Sequence, residues 1–304
     1  MPGLLEAEGA PTRREPRRAV GGRTRRRLLR QPVAMSAGVV LAVVLAIGAI
    51  TPRIAPSPQT IDFADRWRDH APMLSGWHLL GTDNLGRDLL VRTLYGLHTS
   101  EQSALLATLL ATVVGVALGG IAGYRGGWAD ALIMRLGDMF GILPAIILFL
   151  IADTYFIPVT VEKASLIIAL YLWIPVARVV RAEIASLRAR EFVQAALSVG
   201  ASDRRIFFRH LLPNASSTII VAATSVLGQV IVLEATLEFF GVGPPSAEQP
   251  TLGNLIGDAQ TGSIAFGLGW WNLVVPAGTL VLLLVCVNLL GDGIADALRP
   301  SEQH

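Results

Sequence analysis

Six stretches of the sequence stay apolar long enough to cross about 30 Å of hydrocarbon. They are residues 33–50, 103–123, 132–151, 164–180, 216–235 and 271–290. This pattern constrains the chain more than any other feature. A bilayer offers no partner to a free backbone N–H or C=O, so each stretch must close its hydrogen bonds internally as a helix. The expected fold class is all-α, a polytopic membrane protein with six transmembrane helices. The charge content agrees. Only 16% of residues are charged and 52% are hydrophobic, whereas soluble chains average about 25% charged. Cys286 is the single cysteine. A disulfide framework within the chain is therefore excluded, and nothing in the sequence resembles a metal cluster.

The basic residues orient the spans. An N-terminal tail holds Arg13, Arg14, Arg17, Arg18, Arg23, Arg25, Arg26, Arg27 and Arg30. With six spans, that tail shares a side with the 124–131 turn, the 181–214 segment and the C-terminus. The other side holds Arg53, Arg66, Arg68, Arg87, Arg92 and Lys163, which is 6 of the 25 basic residues and leaves 19. The positive-inside rule then places both termini in the cytoplasm and the chain in the plasma membrane. Residues 1–31 form an Arg-rich tail without apolar periodicity, expected to be disordered and able to touch anionic lipid. Residues 24–30, TRRRLLR, faintly resemble a twin-arginine export signal. An Arg-rich flank to the first span is the simpler reading, because five more spans follow and no clear cleavage site does. Residues 32–300 form the six-helix domain, and 301–304 a short tail.

The outer segment 51–98 begins with Pro52, Pro56 and Pro58 and later contains Gly81-Thr82-Asp83-Asn84-Leu85-Gly86-Arg87-Asp88. Two glycines and an Asp-Asn pair predict tight turns before the second span. The stretch lacks the pattern of a phosphate loop. A second outer segment, 238–270, contains Gly241-Val242-Gly243-Pro244-Pro245 and ends at the Trp270-Trp271 pair, which suits a membrane interface. Pro144, Pro175 and Pro276 are expected to kink spans three, four and six. Asp138 follows Arg135 by three residues, so the two are expected to pair on one helix face. Glu183, the pair Glu234 and Glu238, and the pair Asp292 and Asp296 fall at span ends, where structural roles are expected. No span has a central ionisable residue, which argues against proton- or sodium-driven transport.

Residues 188–213 are the polar exception between two spans. A helix over 190–199 would turn Phe192, Val193, Ala196 and Val199 to one side and Gln194, Ala195 and Ser198 elsewhere. Gly200 would end it. Ser202 or Asp203 could cap a second helix over 204–212, Pro213 would stop that helix, and Asn214 or Ser216 could cap the fifth span. The segment has no nucleophile–base pair and no metal ligands, and His210 is alone. No catalytic, cofactor-binding or metal-binding residue is expected, so the chain is not read as an enzyme.

Gln194-Ala195-Ala196, then Gly200, then Leu212-Pro213 resembles the EAA motif of permease subunits of ABC importers, with every spacing kept. Gln194 stands in place of the Glu and His210 in place of the usual Ile. Gly81–Asp88 is similar to the G-T-D-x-x-G-R-D signature of the dipeptide, oligopeptide and nickel branch, in its C-type permease. Residues 123–135, GYRGGWADALIMR, resemble that branch's turn between spans two and three. Phe239–Gly243 with Leu252–Asn254 resembles its F-x-G-x-G…W-G-N loop, Leu252 replacing Trp. The ending is reduced to Leu298-Arg299-Pro300. The likeness spans about Pro32 to Pro300.

The resemblance implies the ABC type I importer permease fold and ATP-driven uptake of peptides, or of nickel, haem or glutathione, by alternating access. The competing class is an ATP-independent secondary transporter. The implied partners are a second permease, two ABC ATPases that hold ATP and Mg, an extracytoplasmic solute-binding protein and the lipid bilayer, with no nucleic acid. The ATPase-coupling residues would be Gln194, Ala195, Ala196, Gly200, Ala201, Phe207, His210, Leu212 and Pro213. The outer signature loop would be Gly81, Thr82, Asp83, Gly86, Arg87 and Asp88.

Overall fold

A computed structural model describes residues 29, 31–61, 78–83, 85–155, 160–261 and 269–298. Almost all of the arginine tail, residues 62–77 of the long outer segment, Asn84 and residues 156–159, 262–268 and 299–304 lie outside them, and so do the expectations that fall there. Ten α-helices follow in order: α1 Pro32–Ile54, α2 Leu89–Arg125, α3 Gly127–Ile142, α4 Ala145–Tyr155, α5 Val161–Arg188, α6 Glu191–Ser198, α7 Asp203–Ile206, α8 Leu212–Phe239, α9 Leu252–Thr261 and α10 Trp271–Leu298. A π-helical turn, Phe207–Leu211, joins α7 to α8. No strand occurs among the described residues, only two isolated bridges beside the outer turn.

Five helical segments are long and apolar enough to span, namely α1, α2, α5, the run Asp203–Phe239 and α10. The remaining apolar stretch is a bent pair of helices. Helices α3 and α4 meet at 86° around Leu143-Pro144. Proline lacks the N–H that would continue α3, and its ring forces the preceding residue out of helical geometry. The helices run on through Pro175 and Pro276.

The centre of the bundle is the parallel pair α2 and α5. Gly115, Gly119 and Gly123 recur every fourth residue of α2, on one face. A Cβ at Gly115 would meet the Val176 Cβ at 2.5 Å, and one at Gly119 would collide with the Ala177 backbone. At Gly123 it would meet the Arg181 carbonyl at 2.5 Å. In lipid, where apolar surface gains nothing by leaving the solvent, such close backbone approach is what drives helices together. The pair is pinned at its start by Ser103 and Ser165, whose hydroxyls lie 3.1 Å apart.

Helix α2 begins at Leu89 rather than Ser103, so Arg92, His98 and Glu101 are helical. Glu101 is buried, with its carboxylate against Gly48 of α1. The apolar pattern alone leaves this side chain outside the spans. Asp138 also departs from expectation. It accepts from Arg178 of α5 at 2.6 Å, not from Arg135. Asp130 is likewise held by Arg181 of α5, so α3 is tied to its neighbour by two ion pairs.

Candidate functional site

The 188–213 module begins where α5 ends. Helix α6 is one short amphipathic segment. Val193 is fully buried at 0% exposure, packed with Ile206, Leu211 and the Ile184 and Leu187 end of α5. Phe192 and Val199 do not share that buried face. Val199 is 84% exposed and Leu197 42% exposed. Gln194 and Ala195 are exposed, and Ala196 and Ala201 pack partly against the core. The Gln194 amide donates to the Arg188 carbonyl at 3.3 Å, which folds it back onto the end of α5.

Gly200 closes the helix. Its φ is +77°. Its N–H donates to the Leu197 carbonyl at 2.9 Å, and the Ala201 N–H donates to the Ala196 carbonyl at 3.1 Å. These two bonds are the Schellman closure of a helix C-terminus. No atom lies within 4 Å of a Cβ built at Gly200. The requirement for glycine is therefore set by the backbone and not by crowding.

The second half of the module is not a separate helix. Ser202 precedes α7 without a side-chain cap bond, and the chain then runs helically from Asp203 into α8. Pro213 does not stop it. The π turn carries the Leu212 N–H to the Phe207 carbonyl, one residue further back than in an α-helix. That extra residue widens the turn just before Pro213, where a missing N–H and a ring clash would otherwise break the helix. Asn214 lies inside this run and donates back to the His210 carbonyl at 2.5 Å. Phe207 is the anchor of this half. Its ring lies 2.7 Å from where a Gly120 Cβ would stand, and edge-on to Tyr124 at 6.2 Å. His210 and Leu212 are half-buried, and Pro213 is exposed.

The outer signature residues form a second constellation at the other end of α2. Asp83 Oδ1 accepts the Leu85 and Arg87 N–H groups, both at 2.9 Å. Its Oδ2 accepts Arg87 Nε at 2.7 Å and Arg92 Nη1 at 2.6 Å. Arg92 also donates to the Ser246 carbonyl at 3.2 Å and lies 3.5 Å from Asp258 of α9. Asp88 caps α2 through the Val91 N–H at 2.9 Å and meets His78 at 2.8 Å. Gly81 and Gly86 have φ of 84° and 76°. The Thr82 carbonyl accepts the Trp271 indole N–H at 3.3 Å. Thr82, Asp83 and Arg87 are buried, so this turn is an internal knot at the start of α2.

Glu234 and Glu238 extend that knot into α8. Both are buried, and the Glu238 carboxylate lies against Gly253, where a Cβ would stand 2.7 Å from its Oε2. Glu238 thus sits at the N-terminus of α9, where a carboxylate is favoured.

A groove of about 560 Å³ runs between α5, α8 and α10. Its α8 wall holds Thr218, Ala222, Ser225 and Gln229, whose spacing of four, three and four puts them on one face. Ser225 and Gln229 are exposed and make no hydrogen bond among the described residues. Glu183 of α5 lies in the same groove. Hydropathy does not reveal this stripe, because hydroxyl and amide residues barely lower the mean of a span.

The pattern that defines binding-protein-dependent transport system inner membrane components matches residues 115–303. The oligopeptide transport system permease protein OppC of Mycobacterium bovis is 35% identical over 286 residues, covering 91% of this chain and 94% of that protein. A putative peptide permease protein of Brucella suis biovar 1 is 35% identical over 270 residues, covering 88% of this chain and 86% of its own length. The OppC protein of Haemophilus influenzae is 32% identical over 283 residues, covering 92% and 88%. Among solved structures, an inward-facing form of the MetNI methionine ABC transporter superposes with a TM-score of 0.54 at 21% identity. It covers 70% of this chain and 97% of that one.

Proposed function

The chain belongs to the family of binding-protein-dependent transport system inner membrane components, and on that footing we propose that it is one permease subunit of an ABC importer for peptides. Its partners are a second permease, two cytosolic ATPases and an extracytoplasmic solute-binding protein. Both termini lie in the cytoplasm of a cell whose plasma membrane holds the bundle. ATP and Mg belong to the ATPases.

The observation that supports this most is the tip of the 188–213 module. Val199 and Leu197 are exposed there on a short helix whose base, Val193, is fully buried. An apolar tip on a rigid, polar-flanked projection outside the spans is a docking element. In this reading α6 and Gly200 sit in a groove of an ATPase. Closure of the ATPase pair pushes the tip. The load reaches α5 through Val193 and Ile184, and α8 through the continuous helix from Asp203.

The groove of Thr218, Ser225 and Gln229 is this subunit's half of the solute path. Polar groups without partners are costly against lipid, so that face belongs to water and to the second permease. Neutral hydroxyls and an amide exchange hydrogen bonds with a peptide backbone while ignoring its side chains. Movement of α5 and α8 together would open the path to one side at a time.

The experiment is uptake of a labelled peptide into proteoliposomes holding the full assembly and binding protein. Uptake is expected to need ATP and to survive collapse of the ion gradients. Uptake that persists without ATP and stops with an ionophore would replace this reading with a secondary transporter.

A further inference from the structure

Beside the coupling module, on a different face of α2 from the one that meets α5, lies a second groove of about 700 Å³. Its walls are Val113, Val116 and Ile121 of α2, with Phe207, Phe208 and Leu212 across from them. Val116, Phe207 and Leu212 are half-buried, while Val113, Ile121 and Phe208 stay open, Val113 at 58% and Phe208 at 59% exposure.

Charge is gathered at one rim. Arg125 and Arg204 line the groove, Arg205 shares the adjoining hollow with Arg204 and Phe208, and Arg188 stands over the Tyr124 ring at 5.4 Å. None of the four has an ion-pair partner among the described residues. The one acidic residue in the groove is Asp203, which already accepts the Tyr124 hydroxyl at 2.7 Å. Four arginines thus face one engaged carboxylate.

The apolar part of the groove lies along a membrane-spanning helix and the arginines lie at that helix's end. An acyl chain fits the first, and a phosphate headgroup fits the second. We propose that this groove seats an anionic phospholipid, its acyl chain along Val113, Val116 and Ile121 and its phosphate between Arg125 and Arg204. The proposal rests on the reading of the chain as a membrane permease. Arginine forks match phosphate oxygens in pairs, and each basic residue near the surface strengthens binding of anionic lipid roughly fivefold. Phe207 belongs to both the groove and the coupling module. A lipid seated there steadies the π turn against α2, so bilayer composition would act on coupling.

The test uses the full assembly reconstituted in vesicles of equal parts phosphatidylglycerol and phosphatidylcholine, then released in mild detergent. Native mass spectrometry counts the lipids retained. The wild-type assembly is expected to keep phosphatidylglycerol over phosphatidylcholine by roughly tenfold or more. R125Q/R204Q should bring that ratio close to one. Val113→Trp, at an exposed position, should fill the groove and reduce retention of either lipid. Arg53→Gln, on another helix, should leave the ratio as in wild type. A wild-type ratio near one, or one that R125Q/R204Q leaves intact, overturns the proposal. So does efficient cross-linking of a cysteine at position 113 to another protein chain, which would make the groove a subunit interface. ATP-driven uptake in the same vesicles reads the permease assignment separately, and its absence would not alter the lipid ratio.

Discussion

Asp83 and Arg92 meet at 2.6 Å, both almost entirely buried, across the junction of the outer signature turn and the first turn of α2. The same carboxylate oxygen accepts from Arg87, and Arg92 reaches on to the Ser246 carbonyl. One carboxylate therefore ties together the turn, the start of α2 and the loop before α9. Removing one partner strands a buried charge, which costs about 3–5 kcal/mol. Asp83→Ala is expected to lower the melting temperature of the solubilised protein sharply and to cut the amount recovered from membranes. Arg53→Ala, at an exposed site, should do neither. Equal melting temperatures for the two would contradict the knot.

The glycine stripe makes a prediction about the core. Gly119→Ala places a Cβ into the Ala177 backbone, where neither helix can yield without parting. Recovery of folded protein should fall severalfold. Gly278→Ala in α10 meets no atom within 4 Å and should be tolerated. Fluorescence-detected size exclusion of the two variants decides between a packing role and mere helix flexibility.

Gly200 separates backbone strain from crowding. Its left-handed φ costs an ordinary side chain about 1–2 kcal/mol, yet the space beside it is open. Gly200→Leu is expected to uncouple ATP hydrolysis from uptake, while Gly200→Asn, which tolerates this conformation, should retain most coupling. Identical losses in both would mean that the tip needs a bare backbone surface against its partner.

Gln194 is exposed, and its side-chain amide donates to the Arg188 carbonyl of its own chain. Gln194→Glu should leave uptake within about twofold of wild type. In that variant the carboxylate would repel the Arg188 carbonyl and turn outward. A large loss of uptake would assign the neutral amide a contact beyond this bond.

Much of the fold is legible in the sequence. Hydropathy places the long apolar helices, because a lipid environment enforces helices wherever apolar runs are long enough. Pro144 marks a kink, but nothing in the sequence sets its 86° bend. A missing N–H says where a helix is weak and not how far its halves swing. Pro213 looks like a stop because the widened turn at Phe207–Leu211 leaves no mark in composition. Glu101 falls outside the apolar window because a charged residue truncates it, although Gly48 makes room for that side chain inside the bundle. Arg135 is the nearest arginine to Asp138 along the chain, whereas Arg178 reaches it from another helix. Gly200 is legible as the end of α6, since a positive φ after a short amphipathic helix is a local requirement.

The central claim is that the tip of α6 meets an ATPase. The most direct measurement is a photo-reactive amino acid at Val199, irradiated in membranes holding the full assembly. The account predicts a covalent adduct between this chain and an ATPase subunit, its yield changed by ATP. Adducts only to lipid, or none with an ATPase present, would contradict it.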